Sequence, residues 1–214
     1  MHPYYILILF LLAVSTLLIL MGEKSAHLVR EGGVIENLTV IFYAVTILLL
    51  LVFRNMKWTW ANYLAPLIVL VLLFRELDFD KAFTTMGIFK SRFYKSPDVP
   101  VLEKLIAICV ITLIAIVFFA LVRHYGRSVM NGFFRGAKTE CGIVTAFALG
   151  CFSKVVLDGL SRKFEKLGIS TSEFIIQNYG ILEEVLELGI PVSLLFAIRY
   201  ALQNRESAVA AMNN

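Results

Sequence analysis

The 214-residue chain is 59% hydrophobic and 17% charged, with a mean hydropathy of +0.80 and a formal net charge of +4. Soluble domains carry nearer a quarter charged residues, so lipid rather than water must solvate most of this surface. With so modest a positive balance and no basic run interleaved with aromatics, the composition also excludes a nucleic-acid partner.

The apolar residues fall into blocks long enough to cross a ~30 Å hydrocarbon core as helices. In chain order they run from about Tyr4 to Met21, Val34 to Phe53, Trp58 to Phe74, Val101 to Val122, Gly142 to Leu157 and Ile181 to Leu202. The expected fold is therefore all-α: a polytopic bundle of about six transmembrane helices in one domain, arranged as hairpins over 4–54, 58–123 and 140–203. The first block is expected to stay in place as a span, because MHPYY carries no Lys or Arg and no cleavage site follows Met21. The fifth contains Ser153 and Lys154, so its lysine must either snorkel or face into the bundle.

Between the blocks, the polar segments alternate sides. One face receives the N-terminus, 54–57, 123–140 and the C-terminus, with eight cations against Glu140 and Glu206. The opposite face holds eleven cations and fourteen acids. The first face, whose cations lie in short turns nearly free of acids, is the expected cytoplasmic side of a cell inner membrane. Asp98 in SPDVP is expected to cap the fourth span, and Ser170 with Glu173 has capping-box spacing for a helix beginning near Thr171. The stretch 79–95, with Phe79, Phe83, Met86 and Phe93 among cations, has the composition of an interfacial amphipathic helix.

An internal similarity has a period near 80 residues. LDFDKAFTTMGI (77–88) aligns with LDGLSRKFEKLGI (157–169), and PVLEKLIAI (100–108) with GILEEVLEL (180–188). A fainter copy starts at GVIENLTVI (33–41), so Glu36, Glu103 and Glu183 recur where each returning helix begins. Parallel repeats of this kind place sites near a central axis in transporters and pores.

Fourteen of the sixteen acids gather on one face, several of them at helix ends that border hydrocarbon. The candidate substrate- or ion-binding residues are Glu36 and Asn37, Arg75, Glu76 and Asp78 in FRELDFDK, Asp158, and Glu183, Glu184 and Glu187. Glu183 and Glu187 are i,i+4 and share a helix face. An ionised carboxylate at a span's centre costs ~2.5–3.5 kcal/mol, so Glu187 must be protonated, ion-paired or a cation ligand. The bland reading is that these acids pair with Arg75, Lys81, Lys104, Arg162 and Lys163 to fasten the hairpins. Gly32-Gly33 ahead of Glu36 allows either an ordinary turn or close backbone approach to a ligand.

Oxygen ligands without histidine or thiolate suit protons, Na⁺, Mg²⁺ or Ca²⁺, and no zinc, haem or nucleotide motif occurs. Cys109, Cys141 and Cys151 read as small packing residues. Three functions stay open: transport of a cation or a polar, lipid-like substrate; a metal-dependent enzyme acting on lipid headgroups through Glu76, Asp78, Asp158 and Glu184; and a scaffold subunit of a membrane complex. Membrane lipid is the expected partner, with a second copy or another subunit of a complex also compatible.

Overall fold

The computed structural model describes residues 2–22, 26–29, 32–53, 61–166, 168 and 172–212, and every regular element among them is helical. In order these are α1 (Pro3–Met21), α2 (Ala26–Val29), α3 (Val34–Val52), α4 (Ala61–Glu76), α5 (Phe79–Phe83), α6 (Ser91–Lys95), α7 (Val101–Phe134) and α8 (Lys138–Cys151). A π-helical segment (Phe152–Leu157), α9 (Leu160–Lys166) and α10 (Glu173–Met212) follow.

Among the described residues, four segments are long and apolar enough to cross a membrane: Pro3–Met21, His27–Val52, Val101–Phe134 and Lys138–Leu157. They account for the first, second, fourth and fifth expected spans. The third and sixth differ. α4 has 16 residues and an internal Pro66, short of the ~20 that a crossing needs. α10 contains the sixth block, but Glu183, Glu184 and Glu187 interrupt its apolar run. At 40 residues it is about 60 Å long, twice the hydrocarbon thickness.

The chain forms two compact units, Met1–Phe42 with Val129–Asn214, and Tyr43–Ser128. In the first, α10 is central and packs against α1, α8, the π segment, α9 and α2. α1 turns Tyr4, Leu7, Leu11, Ser15 and Leu18 inward. These positions recur every three or four residues, so they form one stripe along the helix. The opposite face, with Tyr5, Leu9, Phe10, Leu17 and Leu20 exposed, is suited to lipid.

Close approach in this unit depends on absent side chains. A β-carbon on Gly189 of α10 would lie 2.5 Å from Leu11 Cδ1 and 3.0 Å from Leu149 Cδ1. One on Gly142 of α8 would lie 2.7 Å from Tyr4 Cζ and 2.9 Å from Ala197 Cβ. Small residues at crossings are how helices associate where lipid supplies no hydrophobic drive between them.

The polar stretch 123–140 between the fourth and fifth blocks is mostly helix. α7 continues to Phe134, and the Ala137 N–H donates to the Gly132 carbonyl while the Gly136 N–H donates to that of Phe133 (both 2.9 Å). This Schellman arrangement requires a left-handed residue, supplied by Gly136 at φ 72°. Ala137 then serves as N-cap of α8.

In the second unit, the segment expected as one amphipathic helix is broken into α5 and α6. Asp80 Oδ2 accepts the Ile88 N–H at 2.8 Å, and Tyr94 Oη donates to the Ile88 carbonyl at 2.9 Å. Ile88, Phe93 and Val99 bury against Ala107 of α7. Glu103 accepts the Thr85 N–H (3.1 Å) and hydroxyl (2.6 Å), and Lys104 Nζ donates to the Ser96 carbonyl at 2.7 Å. The result is a folded cap on the start of α7, because these polar groups bond to one another instead of leaving a continuous amphipathic face. Asp98 pairs with Ser96 rather than capping α7, whose first ladder bond runs from the Lys104 N–H to the Pro100 carbonyl. The expected capping box lies partly on Ser170 and Thr171, outside the described residues.

Asp80→Ala removes the acceptor for the Ile88 N–H, with an expected cost of about 1–2 kcal/mol. Amide exchange should accelerate near residue 88 while the first unit's protection is unchanged.

Candidate functional site

Lys154 is a cation in a candidate membrane span, and its surroundings explain how it is tolerated there. After Cys151 the helix widens to a π turn, in which the Asp158 N–H donates to the carbonyl of Ser153, five residues back, at 2.9 Å. Such single-turn π segments accommodate an extra residue and re-aim the side chains they carry. Here Ser153 and Leu157 turn inward, while Phe152, Val155 and Val156 remain exposed.

Ser153 is fully buried and donates its hydroxyl to Glu187 Oε1 on α10 at 2.7 Å. Lys154 Nζ pairs with Glu183 Oε1 at 2.9 Å and also with Glu187 Oε1. One ammonium thus bridges two carboxylates at i,i+4, whose mutual repulsion would otherwise disfavour this face of α10. The cluster is graded in depth: the Glu187 side chain is 3% exposed, that of Glu183 15% and that of Lys154 34%. Glu184 lies between the two glutamates on α10, one residue after Glu183 and three before Glu187.

Pro191 lies one turn beyond Glu187. Having no N–H, it cannot donate to the Glu187 carbonyl, so the helix ladder is interrupted beside the buried carboxylate. Two residues on, the buried Ser193 Oγ donates to the Gly189 carbonyl at 2.7 Å.

The other expected site residues take separate places. Glu36 Oε2 accepts the Gly32 N–H at 2.6 Å, and Asn37 Nδ2 donates to the carbonyls of Gly32 (3.0 Å) and Gly33 (2.9 Å). With Gly32 at φ 77°, this is a turn held by the first residues of α3. Asp158 ends the π segment and is exposed. In the second unit, Arg75 pairs with Glu76 at 3.4 Å and Asp78 with Lys81. Asp78 itself has φ 48°, the left-handed conformation that aspartate tolerates better than most residues. Among the described residues, no group of three or more His, Cys, Asp or Glu side chains is placed to hold a metal ion.

No family model, curated protein or solved structure matches this chain. Its chemistry is therefore read from its own residues.

Of the nine expected site residues, Glu183 and Glu187 come together at Lys154, and Glu184 adjoins Glu183 on the same helix. Ser153 and Lys154, which complete the cluster, were visible in the sequence only as two polar residues inside an apolar block. That itself was the usable signal, since a lysine in a span calls for a buried acid.

Proposed function

We propose that this protein is a multi-pass transporter that moves a cation or a cationic, lipid-like substrate, with Glu187, Glu183 and Glu184 as the binding carboxylates. The observation that carries the reading is the part-buried Lys154–Glu187–Glu183 cluster, in which two carboxylates on α10 share one lysine and a third, Glu184, lies beside them on the helix. In a low-dielectric setting such an excess of negative charge favours uptake of a proton or another cation. Lys154 then acts as a tethered counter-ion: an arriving cation competes for Glu187, and the ammonium returns when it leaves. The gradation from buried Glu187 to partly exposed Lys154 supports exchange with one side of the membrane.

In this reading α4 and residues 181–202 complete six crossings of a bacterial inner membrane, with both termini in the cytoplasm. Local geometry supports the proposed repeat of 77–88 in 157–169. Each Leu-Asp is followed by a left-handed turn, at Asp78 itself or at Gly159 (φ 62°), and then by a short helix, α5 or α9. A C-terminal reporter active only in the periplasm would reverse the orientation.

In proteoliposomes loaded with a pH- or cation-sensitive dye, imposed gradients of H⁺, Na⁺ or an organic cation should drive uptake by the wild type. Glu187→Gln is expected to slow that uptake at least tenfold while the protein stays monodisperse. If Glu187→Gln and Glu36→Gln both transport as the wild type does, the reading fails.

A further inference from the structure

Polar groups also cluster where α1 and α8 begin, in the first unit. Tyr4 is 3% exposed, yet its hydroxyl has no hydrogen-bond partner among the described residues. The same is true of two further buried atoms, Thr139 Oγ1 and His2 Nε2. Buried hydroxyls are nearly always bonded, so several orphans in one place imply something that answers them.

These groups are neighbours. The His2 and Tyr4 rings lie 5.4 Å apart. Tyr4 leans on α8 at Gly142, where its hydroxyl occupies the space a β-carbon would take. Thr139 is one helical turn before Gly142, on the same side of α8. The first turn of α8 begins at Lys138, and Ala137 provides no side-chain cap, so its leading N–H groups present the positive end of a 14-residue helix. Lys138 Nζ lies 5.0 Å from the centroid of the Tyr200 ring, which itself packs edge-on to Tyr4 at 6.5 Å. One carboxylate is present: the Glu140 side chain lies over Gly132, where a β-carbon would be 2.5 Å from its Cγ.

From this juxtaposition we propose that Tyr4, Thr139, Lys138 and the N-terminal turn of α8 bind a phosphate group, as a phospholipid headgroup or as free phosphate. Two hydroxyl donors, an ammonium and a helix N-terminus are the groups a phosphate oxyanion recruits. His2 accepts or donates according to its protonation. The site is separate from the Lys154 cluster and does not depend on the transport reading.

The test uses the full chain, purified in detergent and delipidated, with thermal unfolding as readout. Short-chain phosphatidylglycerol, inorganic phosphate and short-chain diacylglycerol are titrated separately. The phospholipid should raise Tm in a saturable way, and Tyr4→Phe with Thr139→Val should weaken its binding at least tenfold. Glu140→Gln, which removes the like charge, should tighten it. A rise with inorganic phosphate alone assigns the site to the free ion. An equal rise with diacylglycerol, or unchanged binding in the double variant, overturns the proposal. If the double variant does not fold, Lys138→Gln, at an exposed position, carries the same comparison, and wild-type affinity there overturns it too.

Discussion

Lys154→Met is expected to destabilise the protein by about 3 kcal/mol, read as a lower midpoint of unfolding in mixed detergent micelles. The change keeps an unbranched side chain one atom shorter and removes its charge, leaving Glu187 buried without the ammonium that now pairs with it. Breaking one side of a buried ion pair costs about 3–5 kcal/mol, mostly as the penalty on the charge left behind. The lower end applies here, because Lys154 is about one-third exposed and Ser153 still donates to Glu187. Glu187→Gln in the same chain should restore most of the loss, since a neutral amide accepts the Ser153 hydroxyl without demanding a cation. A Lys154→Met protein as stable as the wild type would show that the pair contributes nothing.

The second large effect is steric. Gly142→Ala should cost about 1–2 kcal/mol, measured the same way. Helix propensity alone predicts the opposite sign, since alanine is favoured over glycine by about 1 kcal/mol in a helix interior. Against that, the new methyl would lie 2.9 Å from Ala197 Cβ, a short atom that cannot swing aside, and 2.7 Å from Tyr4 Cζ. Overpacking of a tight contact costs ~1–3 kcal/mol or more, so packing wins. Gly180→Ala in α10 is the matched control. Nothing lies within 4 Å of the β-carbon added there, and the substitution should stabilise by about 0.5–1 kcal/mol. Equal shifts at the two positions would mean that α1, α8 and α10 do not approach as closely as described.

Both effects depend on helices meeting, and that marks where sequence reasoning stopped. Glu187 was readable as a deep carboxylate needing compensation, because burial of charge follows from its position in an apolar run. Its partner was not readable: Lys154 and Glu183 are 29 residues apart and Ser153 and Glu187 are 34 apart. Several cations were equally plausible on spacing alone. The polarity of 123–140 marks it as lying outside the spans but does not show its conformation, since polar residues form helix readily once a glycine at 136 permits the closing turn. Asp80 and Glu103, two of the acids gathered on one face, bond the backbone of their own cap.

The sequence by itself determined an all-helical chain with segments long and apolar enough to cross a membrane, because long apolar blocks in lipid can satisfy backbone hydrogen bonds only internally, and helix rise sets their length. It also determined that a lysine and several glutamates must share the apolar region. Only the tertiary structure decided that a π turn presents Ser153 and Lys154 to α10, and that Glu36 and Asp80 serve their own turns. The physical reason is that charge pairing depends on distances across helices, which periodicity along one chain does not encode.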